Sequence, residues 1–279
     1  MRRAAVRGLA IVALTAALLG GNTWRNWARM TLGQDTPQAR AALLAPAWRI
    51  VPAEAAQGAV LLSGCDGVQD NMARWAEVLY ARTGRSAMIL DSHGSRGLDR
   101  LESWRLVCAG QLLPGAERAG DLAVALAQSP DGGQTILGAS HGGWTALEFL
   151  RLARSGLVPP GLAAWPAPPG RLLARVGQVV LLYPYCGFLN RAGTGDWTGM
   201  PPILLIAAER DSIVSTPDCL ALADRLRASG ARIEVVVMAG ADHGFDQKDK
   251  AALSALTYDP AATGAAEAAV AAFLTKPPE

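Results

Sequence analysis

The sequence has few of the residues that a metal centre or a nucleic-acid surface requires. Its 279 residues include three histidines and four cysteines. The histidines, at positions 93, 141 and 243, are far apart, and no cysteine spacing is typical of a zinc site. The formal net charge of +2 is too small to indicate a polyanionic partner, and no Lys/Arg cluster lies beside aromatic residues. We therefore expect no metal, no organic cofactor and no nucleic-acid partner.

Charged residues are also scarce, at 18% of the chain against 51% hydrophobic residues, which is typical of a well-buried globular protein. The length is compatible with a single domain. Four cysteines fit an oxidising compartment, where they could form up to two disulfides in three alternative pairings. These are Cys65, Cys108, Cys186 and Cys219.

The N-terminus has no acidic residue before Asp35, and three arginines among its first seven residues precede an apolar run over 9–19. A basic segment followed by about 7 to 15 apolar residues is typical of a signal peptide, whereas a spanning helix needs about 20. We predict a signal peptide or signal anchor over 1–21 and a periplasmic or secreted domain. Cleavage stays open, as does attachment to the inner membrane through residues 8–21.

Residues 22–57 are predicted to be a linker and the first edge of the domain, with a short strand over 47–51, and the domain proper spans 58–279. Short apolar runs then alternate with segments of helical periodicity. The predicted strands are 59–62, 87–90, 135–137, 179–183, 203–207 and 233–238, and the predicted helices are 71–83, 116–128, 142–154, 217–229 and 261–274. Thr216 is the predicted N-cap of the fourth of these helices. This alternation predicts an α/β fold with a mostly parallel, doubly wound sheet covered by helices on both faces. The Pro-rich stretch 158–170 and the Gly-rich stretch 186–200 are too short for a large cap domain.

The segment Gly138-Ala139-Ser140-His141-Gly142 matches the pattern G-x-S-x-G. It follows a predicted strand and precedes a predicted helix, which is the setting of a nucleophile elbow. The elbow places a serine hydroxyl outside the sheet, and the flanking glycines allow neighbouring backbone to approach closely. We predict that Ser140 is a nucleophile; the alternative is an ordinary Gly-Ser turn before a helix.

A serine nucleophile needs an imidazole to take its proton and a carboxylate to orient that imidazole. In this fold class the order along the chain is serine, acid, histidine. His243 is the only histidine after His141, and Asp211 follows the strand predicted over 203–207. We predict Asp211 and His243 as the partners of Ser140, with Glu209 and Asp242 as alternative carboxylates.

The oxyanion of the reaction needs two preorganised N–H donors. One is predicted from the amide of His141, directly after the nucleophile, and the other from the loop after the first strong strand, at the amide of Cys65. Cys65 has the alternative of being a structural, disulfide-bonded cysteine.

Six motifs between residues 59 and 246 carry a family resemblance. They are Leu62-Ser63-Gly64-Cys65-Asp66-Gly67, Asp91-Ser92-His93-Gly94-Ser95-Arg96-Gly97, Gly138-Ala139-Ser140-His141-Gly142-Gly143, Tyr183-Pro184-Tyr185-Cys186, Glu209-Arg210-Asp211 and Asp242-His243-Gly244-Phe245. In this order they resemble the dienelactone hydrolase family. The resemblance implies the α/β-hydrolase fold and a serine hydrolase of esters or lactones that works through an acyl-enzyme on a small-molecule substrate.

Two departures from the family pattern affect the substrate. The enzymes that give the family its name use a cysteine nucleophile where Ser140 stands, and many relatives have His-Gly where Ser63-Gly64 stands, so dienelactone is not the predicted substrate. Arg96 could bind a substrate carboxylate, but a structural role that fixes neighbouring carbonyls or Asp91 is favoured. Alternative functions are an acyltransferase or peptidase on the same triad, or a non-catalytic envelope protein that binds a ligand.

Overall fold

The computed structural model describes residues 8–18, 20–21, 24, 33–250 and 254–276. It divides into two compact units, Met1–Gly33 and Gln34–Glu279. In the first unit, residues 8–18 are helical. No helix within the described residues is long and apolar enough to cross a membrane. The three arginines of the predicted signal segment lie outside the described residues, as do 22–23 and 25–32 of the predicted linker.

The second unit is built on a seven-stranded sheet with the order β1-β3-β2-β4-β5-β6-β7. The edge strand β1 is antiparallel to β3, and the other five neighbouring pairs are parallel. The strands are β1 Arg49–Val51, β2 Gln57–Leu62, β3 Ser86–Leu90, β4 Gln134–Ala139, β5 Val176–Leu182, β6 Ile203–Ala208 and β7 Ile233–Met238. The helices from residue 34 onward are α1 Pro37–Leu44, α2 Asp70–Thr83, α3 Arg100–Glu102, α4 Gly115–Gln128, α5 His141–Ser155, α6 Pro169–Ala174, α7 Thr216–Ala228 and α8 Pro260–Leu274, with a π-helical turn over Ser103–Val107.

Both faces of this sheet are buried, because its central strands are apolar on both sides. Along β2, Val60 and Leu62 belong to one core cluster, which includes side chains of α4, α5 and α7. Ala59 and Leu61 belong to a second cluster, which includes side chains of α2 and α8. The predicted doubly wound α/β-hydrolase architecture is confirmed, and no separate cap domain interrupts the described part of the chain.

Two local features differ from the expectations or add to them. The N-cap of α7 is Ser215, whose hydroxyl accepts a hydrogen bond from the Asp218 amide. The predicted cap, Thr216, is the first helical residue instead, because its hydroxyl donates to the carbonyl of Ala208 and so ties the helix to β6. The structure also places α1 within the larger unit, where its Arg40 is buried.

The parallel strands all end at one edge of the sheet, and the loops that follow them meet there. The loops after β2, β4, β6 and β7 contain every residue that the sequence predicts for the site. This carboxyl edge is the place where those side chains can converge.

Candidate active site

Ser140 occupies a strained turn between β4 and α5, with φ 51° and ψ −112°. A non-glycine residue at positive φ is held there only where its surroundings impose it. Here the Ser140 amide donates to the Leu182 carbonyl at 2.8 Å, and the Ser140 carbonyl accepts from the Tyr185 amide at 3.1 Å. Both partners belong to the end of β5 and its following loop, so the neighbouring strand fixes the turn.

The two glycines that flank the turn are required by close backbone contacts. A methyl group on Gly142 would lie 2.2 Å from the carbonyl oxygen of Leu62, and one on Gly138 would lie 2.4 Å from the carbonyl oxygen of Gly142. These obstacles are backbone atoms, which cannot rotate away as a side chain can. The elbow therefore packs directly on the end of β2, and G-x-S-x-G is the pattern that permits this contact.

The structure brings Ser140, His243 and Asp211 together. The Nε2 atom of His243 lies 2.9 Å from Ser140 Oγ, and its Nδ1 atom lies 2.8 Å from Asp211 Oδ2. The other oxygen of Asp211 accepts from the amides of Ile213 at 3.0 Å and Val214 at 2.8 Å. When Nδ1–H of His243 donates to Asp211 Oδ2, the lone pair of the ring lies on Nε2, facing Ser140 Oγ, where it can accept a proton.

The two alternative carboxylates hold loops together instead of contacting the imidazole. Glu209 accepts from the Gly240 amide at 2.7 Å. Asp242 accepts from the amides of Ser212 and His243, each at 2.7 Å. Together they join the loop after β6 to the loop after β7, and so fix the distance between the acid and the histidine.

A buried cluster that the sequence analysis missed packs against the ring of His243. The Tyr183 ring packs edge-on against the His243 ring with centroids 4.8 Å apart. Its hydroxyl donates to the fully buried Asp246, which also accepts from Trp75 Nε1 at 2.6 Å. Burial and the neighbouring Asp246 raise the pKa of Tyr183 well above its usual value, so the phenol stays a neutral donor. The signal available in the sequence was the position of Tyr183 at the end of β5 and of Asp246 three residues after His243.

The two residues predicted for the oxyanion hole lie on segments beside Ser140. His141 is the first residue of α5. The loop of Cys65 passes close to Ser140, since a methyl group on Gly64 would lie 3.8 Å from Ser140 Cβ. The sulfur of Cys65 forms a disulfide with Cys108, as in the structural alternative for this cysteine. A disulfide does not involve the amide, which is the group predicted to donate to the oxyanion.

Arg118, which the sequence analysis also missed, connects these two segments. It is fully buried, and its Nη1 atom lies 3.1 Å from the Ser63 carbonyl oxygen and 3.0 Å from His141 Nδ1. Burial, followed by the charge of Arg118, lowers the pKa of His141 well below its usual value, so the imidazole is neutral and accepts this hydrogen bond. Burial lowers the pKa of Arg118 to about 10, which leaves it charged at neutral pH.

Arg96 makes structural contacts. Its two terminal nitrogens lie 3.0 and 2.9 Å from the oxygens of Asp121, and it also donates to the Ser92 carbonyl. Asp121 is fully buried and pairs with Arg40 of α1 at 2.7 Å as well. The guanidinium of Arg96 is therefore engaged inside the protein and not aimed at a substrate carboxylate.

The sequence and the fold were compared with those of known proteins. The model of the dienelactone hydrolase family matches residues 170–277. No curated protein sequence matches the chain significantly.

Solved structures are similar over most of the domain. Esterase 2 of Thermogutta terrifontis, phosphonylated by sarin, has 17% identity and a TM-score of 0.55, covering 81% of this chain and 88% of that one. A putative dienelactone hydrolase from Klebsiella pneumoniae has 17% identity and a TM-score of 0.55, covering 80% and 89%. A dienelactone hydrolase-like promiscuous phosphotriesterase from metagenomic libraries has 20% identity and a TM-score of 0.55, covering 80% and 87%. At these identities the comparison shows the shared α/β-hydrolase fold.

Proposed function

We propose that the chain is a serine hydrolase of carboxylic esters or lactones, since the model of the dienelactone hydrolase family matches residues 170–277 and the chain has the α/β-hydrolase fold. The reaction proceeds through an acyl-enzyme on Ser140. The observation that carries this proposal is the pair of contacts at His243, which lies 2.9 Å from Ser140 Oγ and 2.8 Å from Asp211 Oδ2.

In the first half of the reaction, Ser140 Oγ attacks the carbonyl carbon while His243 Nε2 accepts its proton. Asp211 holds the ring and stabilises the imidazolium that forms. The amides of His141 and Cys65 donate to the oxyanion. When the tetrahedral intermediate collapses, the alcohol leaves with the proton from His243, and the acyl group remains on Ser140.

In the second half, water repeats the attack on the acyl-enzyme with His243 as its base, and Ser140 leaves with the returned proton. One ester and one water give one acid and one alcohol. For a lactone, both products are parts of a single hydroxy acid. Every proton transfer uses the same imidazole, so the chain needs no further titrating group.

The test is labelling with a fluorophosphonate probe together with hydrolysis of short-chain aryl esters. We expect the wild-type protein to give both signals and Ser140→Ala to give neither while it stays folded. Ser155→Ala is the matched control, because it makes the same change at the far end of α5. A wild-type protein that shows neither signal would contradict the proposal and favour a non-catalytic binding protein. Hydrolysis that survives Ser140→Ala would exclude this nucleophile.

The acceptor of the acyl group is tested separately, since fold and triad do not determine it. A hydrolase passes the acyl group to water even when alcohols or amines are added during ester turnover. A transferase diverts most of it to the added acceptor. Product analysis by mass spectrometry distinguishes the two, and a peptide panel tests the peptidase alternative.

We also propose that the domain works outside the cytoplasm. The support is the basic and apolar N-terminal sequence together with two disulfides, Cys65–Cys108 and Cys186–Cys219, which are typical of oxidising compartments. Cell fractionation of the full chain, compared with a chain that lacks residues 1–21, tests this. Protein of both forms in the cytoplasm would contradict export, and recovery with membranes or in the soluble fraction distinguishes attachment from release.

A further inference from the structure

A polar cavity of about 140 Å³ lies between the loops that follow β2 and β3. The side chains that line it include Asp66, His93, Arg100 and Ser103. A methyl group on Gly64 would lie 3.2 Å from Asp66 Oδ1 and 3.8 Å from Ser140 Cβ. The carboxyl group of Asp66 and the side chain of Ser140 therefore both lie next to Gly64.

The walls of this cavity hold buried polar groups that have no protein partner. His93 and Ser103 are each 1% exposed. The hydroxyl of Ser103 and Nε of Arg100 make no hydrogen bond within the described chain, whereas the His93 ring is hydrogen-bonded to the Cys65 backbone. Buried polar atoms without partners are rare, because each gives up its hydrogen bonds to water and gains none in return. Their concentration around one cavity indicates a site built to receive hydrogen-bonding groups.

The chemistry of these groups restricts the ligand. Burial lowers the pKa of His93 to about 3, so its ring is neutral; one nitrogen donates to the Cys65 backbone, and the other is an acceptor. The hydroxyl of Ser103 also donates and accepts, and Nε of Arg100 donates. The carboxylates of Asp66 and Asp91 face the same space. An apolar group would leave the polar atoms unsatisfied, and a carboxylate would meet two carboxyl groups, Asp66 and Asp91, against the single guanidinium of Arg100. A neutral hydroxyl group, which both donates and accepts, matches the set.

On the premise of the ester hydrolase activity above, we propose that this cavity binds an uncharged, hydroxylated portion of the substrate, so that the preferred substrates are esters bearing neighbouring hydroxyl groups. The cavity is small enough to take a glycerol-sized group, and Asp66 Oδ1 on its wall lies at most about 7 Å from Ser140 Cβ, since a methyl group on Gly64 would lie 3.2 Å from the first atom and 3.8 Å from the second. The hydroxyl groups therefore stand within a few bonds of the scissile ester.

Matched pairs of esters test this, one pair for each half of the substrate. Glycerol 1-monobutyrate is compared with propyl butyrate, and methyl 3,4-dihydroxybutyrate with methyl butyrate. We expect kcat/KM to favour the hydroxylated member about tenfold in one pair, since two net hydrogen bonds of about 0.7 kcal/mol each give that factor. The pair that shows the preference identifies the half that enters the cavity. Monomethyl succinate, which carries a carboxylate, should be turned over more slowly than methyl butyrate.

Variants connect the preference to the cavity. Ser103→Ala should lower the hydroxylated-to-plain ratio at least threefold, and Asp66→Asn should reduce the discrimination against monomethyl succinate. Ser86→Ala is the control: it also removes a buried hydroxyl, but one bonded to the Ala55 carbonyl at the start of β3. It should leave the ratio unchanged.

The outcomes are distinguishable. Turnover without preference in either pair overturns this inference alone, as does an equal effect of Ser103→Ala and Ser86→Ala on the ratio. Absence of turnover on every ester, together with absence of fluorophosphonate labelling, overturns the proposed function and this inference with it.

Discussion

Replacement of Asp211 by asparagine tests the proposed triad with little disturbance to the fold. Asp211 Oδ1 accepts from the amides of Ile213 and Val214, and Oδ2 accepts from His243 Nδ1. Asparagine has one oxygen, and the two amides require it. The side-chain NH₂ must then face Nδ1 of His243, which becomes an acceptor, so the ring proton moves to Nε2. A protonated Nε2 cannot take the proton of Ser140.

The size of the effect follows from this tautomer. The same exchange in a serine protease lowers kcat by about 10⁴, which corresponds to about 5.5 kcal/mol of transition-state stabilisation. We expect a similar fall for Asp211→Asn in steady-state hydrolysis of an aryl ester, with a parallel fall in the rate of fluorophosphonate labelling. Because the two backbone hydrogen bonds persist, the free energy of unfolding should fall by no more than about 2 kcal/mol.

Glu209→Gln and Asp242→Asn are the matched controls, since these carboxylates stand beside the same two loops but do not contact the imidazole. Each should lower kcat less than about tenfold, through the loop contact that it weakens. A value of kcat for Asp211→Asn within tenfold of wild type would refute the assignment. An equal loss in Glu209→Gln would show that the loops, and not the orienting carboxylate, determine the rate.

Three further predictions concern the fold around the site. Gly142→Ala should cost about 3 kcal/mol of unfolding free energy or prevent folding, because the added methyl would meet the Leu62 carbonyl at 2.2 Å; an unchanged thermal melt would contradict the close-contact argument. Loss of the Cys65–Cys108 disulfide, whose cysteines are 43 residues apart, should cost about 4 kcal/mol in the chain-entropy model, measured by denaturant unfolding of the double Cys→Ser variant; a loss under 1 kcal/mol would exclude that model here. Burial raises the pKa of Glu117 to about 7, so its contribution to stability is present below its unfolded pKa of about 4.5 and is lost as pH rises through 7. The wild-type protein should therefore lose about 3 kcal/mol relative to Glu117→Gln between pH 5 and 8, and parallel pH curves for the two proteins would count against this.

Much of the sheet could be predicted because its signals are local. β6 is an uninterrupted apolar run, and the structure extends it by one residue beyond the predicted 203–207. The glycines of the elbow report a contact with β2 that is distant in sequence, yet the pattern is short enough to recognise. The run of apolar side chains is therefore enough to predict β6, and the positions of glycine are enough to predict the elbow.

Helix α1 had a usable signal that the sequence analysis did not use. Thr36 accepts from the Ala39 amide and Pro37 is the first helical residue, which is the same type of helix start as Ser215 before α7. The sequence prediction includes this segment in the linker over 22–57, between the signal peptide and the domain. The buried Arg40 of this helix pairs with Asp121, 81 residues away, and no local pattern contains that contact.

The pairing of the cysteines and the roles of Glu209 and Asp242 depend on the same kind of long-range geometry. Cys65 and Cys108 have Cα atoms 4.9 Å apart because the loop after β2 and the π-helical turn after α3 meet above the sheet. Three pairings were open in the sequence, and only the folded arrangement distinguishes them. Likewise, three carboxylates stood near the predicted histidine, and their hydrogen-bond partners separate the one that contacts the imidazole from the two that join loops.

Arg118 contacts the site although none of the six sequence motifs includes it. In an alanine-rich helix such as α4, an arginine would ordinarily face solvent, yet this one is fully buried. Burial of a guanidinium costs several kcal/mol unless hydrogen bonds compensate, and its Nε and Nη2 atoms have no partner in the described chain. The one atom that is engaged, Nη1, binds the Ser63 carbonyl and His141 Nδ1 together. This burial therefore occurs where one fixed charge contacts both proposed oxyanion segments.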